Sequence, residues 1–420
     1  MTYSIHDFHT RAKGWRLILR LFLDWAVRDR LSREVFQVKP NPIVSLPNKA
    51  WTVQLFRVAL VFFYLGSAPL HAQTRSLSAD KRAQIEKAAS SFLGTNSVPG
   101  ISVAVVQDGE LVWSSGYGMA DLENFVPATF STLFRLGSIS KPITATAILQ
   151  LAERGKLDLD AAVQNYCPVF PKKEWPITTR ELLGHLGGIR HYNPDGKGDI
   201  PDDSAKHFAS MEESLQIFAG DPLIAKPGTK FHYSTYGYTL LGCVLEGASS
   251  ENYVDYVKEN VFEPAGMEET QANNFFAVIQ HRSRWYHKDK AGVVQNAGVL
   301  DSSYKIPGGG LISSADDMAR FEIAILANKL LKPATREVMW TRQKAVDGSQ
   351  TGYALGWGTQ KKYGLALVEH TGGQQGTSTS IILVPERRAG IIVLANMDGV
   401  DSAALSTEIL KIVIDIKDNP

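Results

Sequence analysis

Two sets of apolar, strand-length runs stand near opposite ends of the chain. Ile101 to Asp108 turns at Asp108-Gly109 into Glu110 to Ser114. An Asp-Gly pair suits the positive φ of a two-residue hairpin turn, so this stretch predicts a β-hairpin. Ile381-Ile-Leu-Val-Pro385 followed by Gly390-Ile-Ile-Val-Leu-Ala395 predicts a second one. Between them the period changes: Ile143 to Arg154, Glu212 to Phe218, Thr239 to Leu245 and Val254 to Val261 carry apolar residues at helical spacing. Ala404 to Ile416 predicts a terminal helix packed on the sheet, and Ala79 to Ala89, opened by Ser78 as a cap, another helix. The pattern therefore predicts an α/β plus all-α architecture, with the two chain ends building one antiparallel sheet flanked by helices. Its α/β lobe comprises about 80–141 and 301–415, and a large helical insertion spans about 142–300. A site where the lobes meet is expected.

Upstream, Arg57 precedes an apolar run from Val58 to Leu70, short of the roughly 20 residues that span a bilayer but suited to a signal-peptide core. Residues 51–72 are thus expected to form a signal peptide, with cleavage after Ala72, or an uncleaved anchor giving membrane association. Leu70 stands where cleavage favours a small residue. Residues 1–50, Arg- and Trp-rich between Trp15 and Phe36, are long for a leader and suggest a start-site artefact or a membrane-surface helix. The acidic Asp7, Asp24, Asp29 and Glu34 speak against a mitochondrial-type presequence. An exported protein, periplasmic or extracellular, is the expectation.

Ser-x-x-Lys occurs three times, at Ser78 to Lys81, Ser138 to Lys141 and Ser302 to Lys305. On a helix this spacing sets a hydroxyl beside an amine one turn away, the layout of a serine nucleophile and its proton acceptor. Ser78 reads as a helix cap, and Ser302 lies in a polar segment before the Pro307 to Gly310 turn. Ser138 differs, because it follows Gly137 and precedes Pro142 and an apolar helical stripe, so free backbone N–H groups of a helix start lie beside it. Two further stretches complete a constellation: Lys230-Phe-His-Tyr-Ser-Thr-Tyr236 after Pro227-Gly228, and Glu369-His-Thr-Gly-Gly-Gln-Gln-Gly376 before the last apolar runs.

With these three segments in this order, the chain resembles the class C β-lactamase and penicillin-binding-protein-like serine hydrolases, whose motifs are Ser-x-x-Lys, Tyr-x-Asn and Lys-Thr-Gly or His-x-Gly. The resemblance covers residues 80–415 and is nearest the mitochondrial β-lactamase-like serine protease branch and its bacterial relatives. It implies the β-lactamase/transpeptidase-like fold and a metal-independent serine hydrolase. Ser138 would form an acyl-enzyme, with Lys141 or Tyr233 as its base, and the backbone N–H groups of Ser138 and Gly373 would hold the oxyanion. Thr235, His370, Thr371 and Gly372 would bind substrate. Both candidate bases are protonated in water, with reference pKa values of about 10.4 and 10, so burial or mutual influence must shift one of them. Two departures bear on the substrate. His370 replaces the third-motif lysine and is mostly neutral at pH 7, and Thr235 replaces the asparagine amide with one hydroxyl. Both favour a peptidase or esterase over an efficient β-lactamase; the alternatives are a β-lactamase or D-alanyl-D-alanine carboxypeptidase, or a penicillin-binding or scaffold protein that does not turn over.

Composition changes little. At 420 residues, 44% hydrophobic and net charge +1, the chain has length for a large core and no electrostatic reason for a nucleic-acid partner. The expected partners are a small-molecule or peptide substrate and, in a homo-oligomer, further copies of the chain. His185 reads as structural, and His191, His207, His232, His281 and His287 lack metal-ligand spacing; no cofactor is implied. Cys167 and Cys243 are too few for a disulfide framework, and Cys243, within an apolar run, reads as a buried thiol.

Overall fold

A computed structural model describes residues 76–193, 196–201 and 204–416. The expectations for residues 1–50 and 51–72, including the cleavage site, lie outside these. Both predicted hairpins form and lie side by side. Strands β1 (Gly100–Gln107), β2 (Glu110–Asp121) and β3 (Val126–Pro127) come from the N-terminal half. Strands β4 (Gly358–Lys362), β5 (Leu365–Gln374), β6 (Thr377–Val384) and β7 (Ala389–Ala395) come from the C-terminal part. The seven-stranded order is β3-β2-β1-β7-β6-β5-β4, with antiparallel neighbours throughout. Val103 opposite Val393 joins the two halves. Asp108 and Gly109 both take positive φ at the first hairpin turn, as their residue types favour.

The central strands read as continuous apolar runs because both faces of the sheet are covered. On one face Ile101, Val103, Val105, Ile391 and Val393 pack against α1 (Ala79–Asn96) and the terminal helix α5 (Ser402–Val413). Ser78 caps α1, its side chain accepting from the Lys81 N–H. On the other face Ala104, Val106, Ile381, Leu383, Ile392 and Leu394 join the main core. That core includes α2 (Ser140–Glu153), α3 (Thr235–Ser249) and α4 (Ala315–Leu326). Helix α2 is buried on every side from Ser140 to Leu151, which explains its nearly unbroken apolar and small-residue sequence. Other helices between α2 and α4 are short, such as Met211–Leu215 and Tyr253–Val257.

The cysteines are a correction. Cys167 and Cys243 form a disulfide, with their Cα atoms 5.6 Å apart across 76 residues of sequence. Cys243 lies on α3 and Cys167 just beyond the 3-10 turn Val163–Asn165, so tertiary packing brings together two thiols whose local sequence suggests isolated burial.

Candidate active site

Ser138 sits in a 3-10 turn, Gly137–Ile139, that runs directly into α2. The turn requires Gly137: its φ is +53°, and a Cβ there would come within 3.0 Å of the Gly373 N on β5. Gly372 is equally constrained, since a Cβ would meet the Leu136 carbonyl oxygen at 2.1 Å and Thr379 Oγ1 at 2.2 Å. These glycines let β5 press against the start of the nucleophile helix. Ser138 and Gly373 line the same cavity.

Lys141, one turn along α2, is wholly buried. Its Nζ donates to Ser138 Oγ (3.0 Å), Thr235 Oγ1 (3.3 Å) and the Gly308 carbonyl (2.6 Å). No carboxylate is among those partners. Burial, helped by the positive charge of Lys305, pulls the Lys141 pKa well below the ordinary lysine value. Burial pushes the Tyr233 phenol above its ordinary value, opposed in part by the neighbouring Ser138 side chain. The two candidate bases are thus shifted by the same burial in opposite senses, Lys141 toward neutral amine and Tyr233 toward neutral phenol.

The segment carrying Tyr233 and Thr235 is fixed from both sides by histidines. His185 Nδ1 accepts from the Ser234 N–H (3.1 Å) and His191 Nδ1 from the Thr235 N–H (3.2 Å). Their rings lie against Tyr233, with centroids at 4.3 Å and 5.5 Å. Ser234 caps α3, accepting from the Gly237 N–H while its hydroxyl donates to the Arg190 carbonyl. His185 is structural, as expected. The support given by His191 has no signature in the sequence beyond proximity to Ile189-Arg190.

His370 is buried with both ring nitrogens engaged. Nδ1 lies 2.7 Å from the Thr371 carbonyl oxygen, which can only accept, so the ring is protonated there; Nε2 then accepts from the Tyr353 hydroxyl at 2.7 Å. Burial and the nearby Lys141 bring its pKa down to about 3, so the ring is neutral at physiological pH. Gly372 stands beside Leu136, but the Thr371 side chain lines a separate groove walled by α1 and α5. Alternation along β5 places it there. Thr235 lines the cavity that holds Ser138, a space of about 540 Å³ that also includes Tyr192, Lys305, Gln374 and Gln375. Arg135, wholly buried under Trp285, braces that cavity by donating to the Gln375 (2.8 Å) and Leu300 (3.1 Å) carbonyls.

The Beta-lactamase family profile matches residues 85–413, and the chain belongs to that family, whose members are serine-hydrolase-like. Among its relatives is the human serine beta-lactamase-like protein LACTB, mitochondrial, 34% identical with 76% of each chain covered. Penicillin-binding protein 4* of Bacillus subtilis (strain 168) is 28% identical over 71% of this chain and 68% of its own. The octameric penicillin-binding protein homologue from Pyrococcus abyssi superposes with a TM-score of 0.69 at 28% identity, covering 80% of this chain and 77% of that one. The β-lactamase/transpeptidase-like fold expected from the three motifs is the fold observed.

Proposed function

We propose that the chain is a serine hydrolase that cleaves an ester or amide through an acyl-enzyme on Ser138, with Lys141 as general base. The observation that carries this reading is the set of three partners around Lys141 Nζ. A neutral amine keeps two N–H donors and one lone pair. Gly308 and Thr235 take the donors, and the lone pair faces the Ser138 hydroxyl. Lys141 then removes the Ser138 proton as Oγ bonds to the substrate carbonyl carbon, and the oxyanion is received by the N–H groups of Ser138 and Gly373. Collapse breaks the bond to the leaving group, which takes its proton from the Tyr233 phenol, and Lys141 returns the proton to Tyr233. Water repeats the sequence to release the acid.

In this reading Thr235 serves Lys141 as well as the substrate, and Gly372 sets the position of Gly373. His370 supports β5 and the Tyr233 side of the cavity, while Thr371 offers the substrate main-chain atoms only. Export is part of the proposal: the apolar run Val58 to Leu70 suits a leader, and a disulfide between Cys167 and Cys243 suits an oxidising compartment. The name of the human relative places that protein in mitochondria. Among the described residues no helix is long and apolar enough to cross a membrane.

The test is intact-mass labelling with a fluorophosphonate. One adduct on the wild-type protein, lost in Ser138→Ala and strongly slowed in Lys141→Ala, is expected. A folded protein that takes no adduct overturns the reading.

A further inference from the structure

Three residues before Ser138, the Arg135 guanidinium is wholly buried with no carboxylate among its hydrogen-bond partners. Burying a cation without an opposite charge is costly, and what Arg135 holds in return is the active-site cavity. We propose that Arg135 is a positioning residue for acylation, its guanidinium holding the turn between β5 and β6, and with it the Gly373 N–H, in register with Ser138. The proposal rests on the hydrolase reading above.

The guanidinium reaches two walls of the cavity at once. Nη1 donates to the Gln375 carbonyl (2.8 Å), two residues past Gly373, and Nη2 to the Leu300 carbonyl (3.1 Å). Gln375 and Leu300 both line the space that holds Ser138. The next residue along is tied to the same hairpin by its main chain, because Thr379 Oγ1 on β6 donates to the Leu136 carbonyl (2.8 Å). Arg135 thus fastens the turn while Leu136 fastens the strand that follows it, and both precede the nucleophile directly.

Trp285 holds the plane of the guanidinium. Arg135 Cζ stands 3.4 Å from the indole centroid, and a Cβ on Gly376 would come within 2.3 Å of the Trp285 Cβ, so the guanidinium and the turn pack on one side chain. Gly376 takes a φ of +71° there, and its N–H donates to Asp398 (2.8 Å). A rigid planar fork sets the spacing of two carbonyls, whereas a lysine ammonium is a point charge on a flexible stem. A second guanidinium on the same indole provides the contrast. Arg282 Cζ stands 5.6 Å from the Trp285 centroid, but its Nη1 and Nη2 donate to the Asn274 (2.9 Å) and Ala277 (3.2 Å) carbonyls, on residues away from the cavity lining.

The test follows fluorophosphonate labelling of wild type, Arg135→Lys, Arg135→Met and Arg282→Lys to completion by intact mass, with hydrogen exchange of the segment 371–378 measured on the same proteins. A misplacement of about 1 Å costs up to about a hundredfold in rate. Both Arg135 variants are therefore expected to take one adduct per chain, as wild type does, at a rate at least about tenfold lower, while Arg282→Lys labels at the wild-type rate. A merely structural role would lower the fraction of chains labelled and leave the rate of that fraction unchanged; this result overturns the proposal, as does equal slowing by Arg282→Lys. Should Arg135→Met not fold, Arg135→Lys, which keeps the charge and most of the stem, carries the test. The exchange measurement separates this proposal from the hydrolase reading. Amides of the turn should exchange faster in Arg135→Lys than in wild type, with those of α5 unchanged. A wild type that takes no adduct counts against the hydrolase reading, and unchanged exchange at the turn overturns the positioning role whether or not labelling occurs.

Discussion

At Lys141 the electrostatics decide the chemistry. An amine with three uncharged hydrogen-bond partners and no carboxylate is stabilised as a base only if burial disfavours its charge, and Lys141 is both wholly buried and under the influence of Lys305. The lowered pKa means that the active neutral amine is populated at lower pH than for a free lysine. The rate of fluorophosphonate labelling should then rise with pH through a single ionisation whose midpoint lies below about 10.4, the reference lysine value. Lys141→Arg, which cannot deprotonate, should label at least a hundredfold more slowly than wild type, the lower bound for loss of a general base. A profile that rises only above pH 10 would instead point to Tyr233. His370 and His191, lowered to about 3 and about 4, add no ionisation between pH 5 and 8, so the profile there should lack a histidine limb. This neutrality was partly legible, because a histidine in place of lysine already loses most of its charge at pH 7. The hydrogen bond to Tyr353 was not, since it joins residues 17 apart that no motif links.

Elements position these groups, and their most exacting contact is β5 against the start of α2. Gly372→Ala would put a methyl group within 2.1 Å of the Leu136 carbonyl oxygen and 2.2 Å of Thr379 Oγ1, and neither can move without displacing a neighbouring element. Labelling of Ser138 should fall more than tenfold in this variant, with a lower melting temperature; wild-type labelling would show that β5 does not set the oxyanion site. Helix α3 presents a second case. Ser234 and Thr235 begin it, and two turns on Cys243 ties it to Cys167. Closing a loop of this length typically stabilises a fold by about 2–4 kcal/mol. Cys167→Ala with Cys243→Ala should lower stability by about that amount in urea unfolding, and a reducing agent should affect the wild type but not the double variant. Equal stability of the two proteins would leave the disulfide without a structural role. The helix was legible from its apolar spacing, whereas the bond was not, because two cysteines in local apolar surroundings look alike whether or not the fold brings them together.

For the molecule as a whole, the hairpins and their union into one sheet were legible because buried strands need continuous apolar runs and Asp108-Gly109 marks its turn. The segment between α2 and α4 was less so: helices as short as Met211–Leu215 owe their existence to packing, not to a periodic stripe. Nor could sequence show which acidic residues lie inside, Asp301, Asp317 and Glu322 among them. Glu322, on α4, is wholly buried against the sheet, where a Cβ on Gly390 would stand 1.9 Å from its Oε2, and neither carboxyl oxygen has a hydrogen-bond partner among the described residues. Burial therefore raises its pKa well above the ordinary carboxyl value, so the folded protein keeps it protonated to higher pH than an exposed glutamate. In the unfolded chain it ionises near pH 4.3, the reference glutamate value. Folding above that pH takes up a proton, so this contribution to stability is fully present below about 4.3 and is lost as pH rises toward the raised value, up to tenfold in the folding constant per pH unit. Glu322→Gln keeps the shape without the ionisation. Its stability relative to wild type should accordingly increase as pH rises above about 4.3 in urea unfolding at matched ionic strength, until the raised pKa is passed. A constant difference across that range would mean that Glu322 is charged in the fold, with a partner supplied by water.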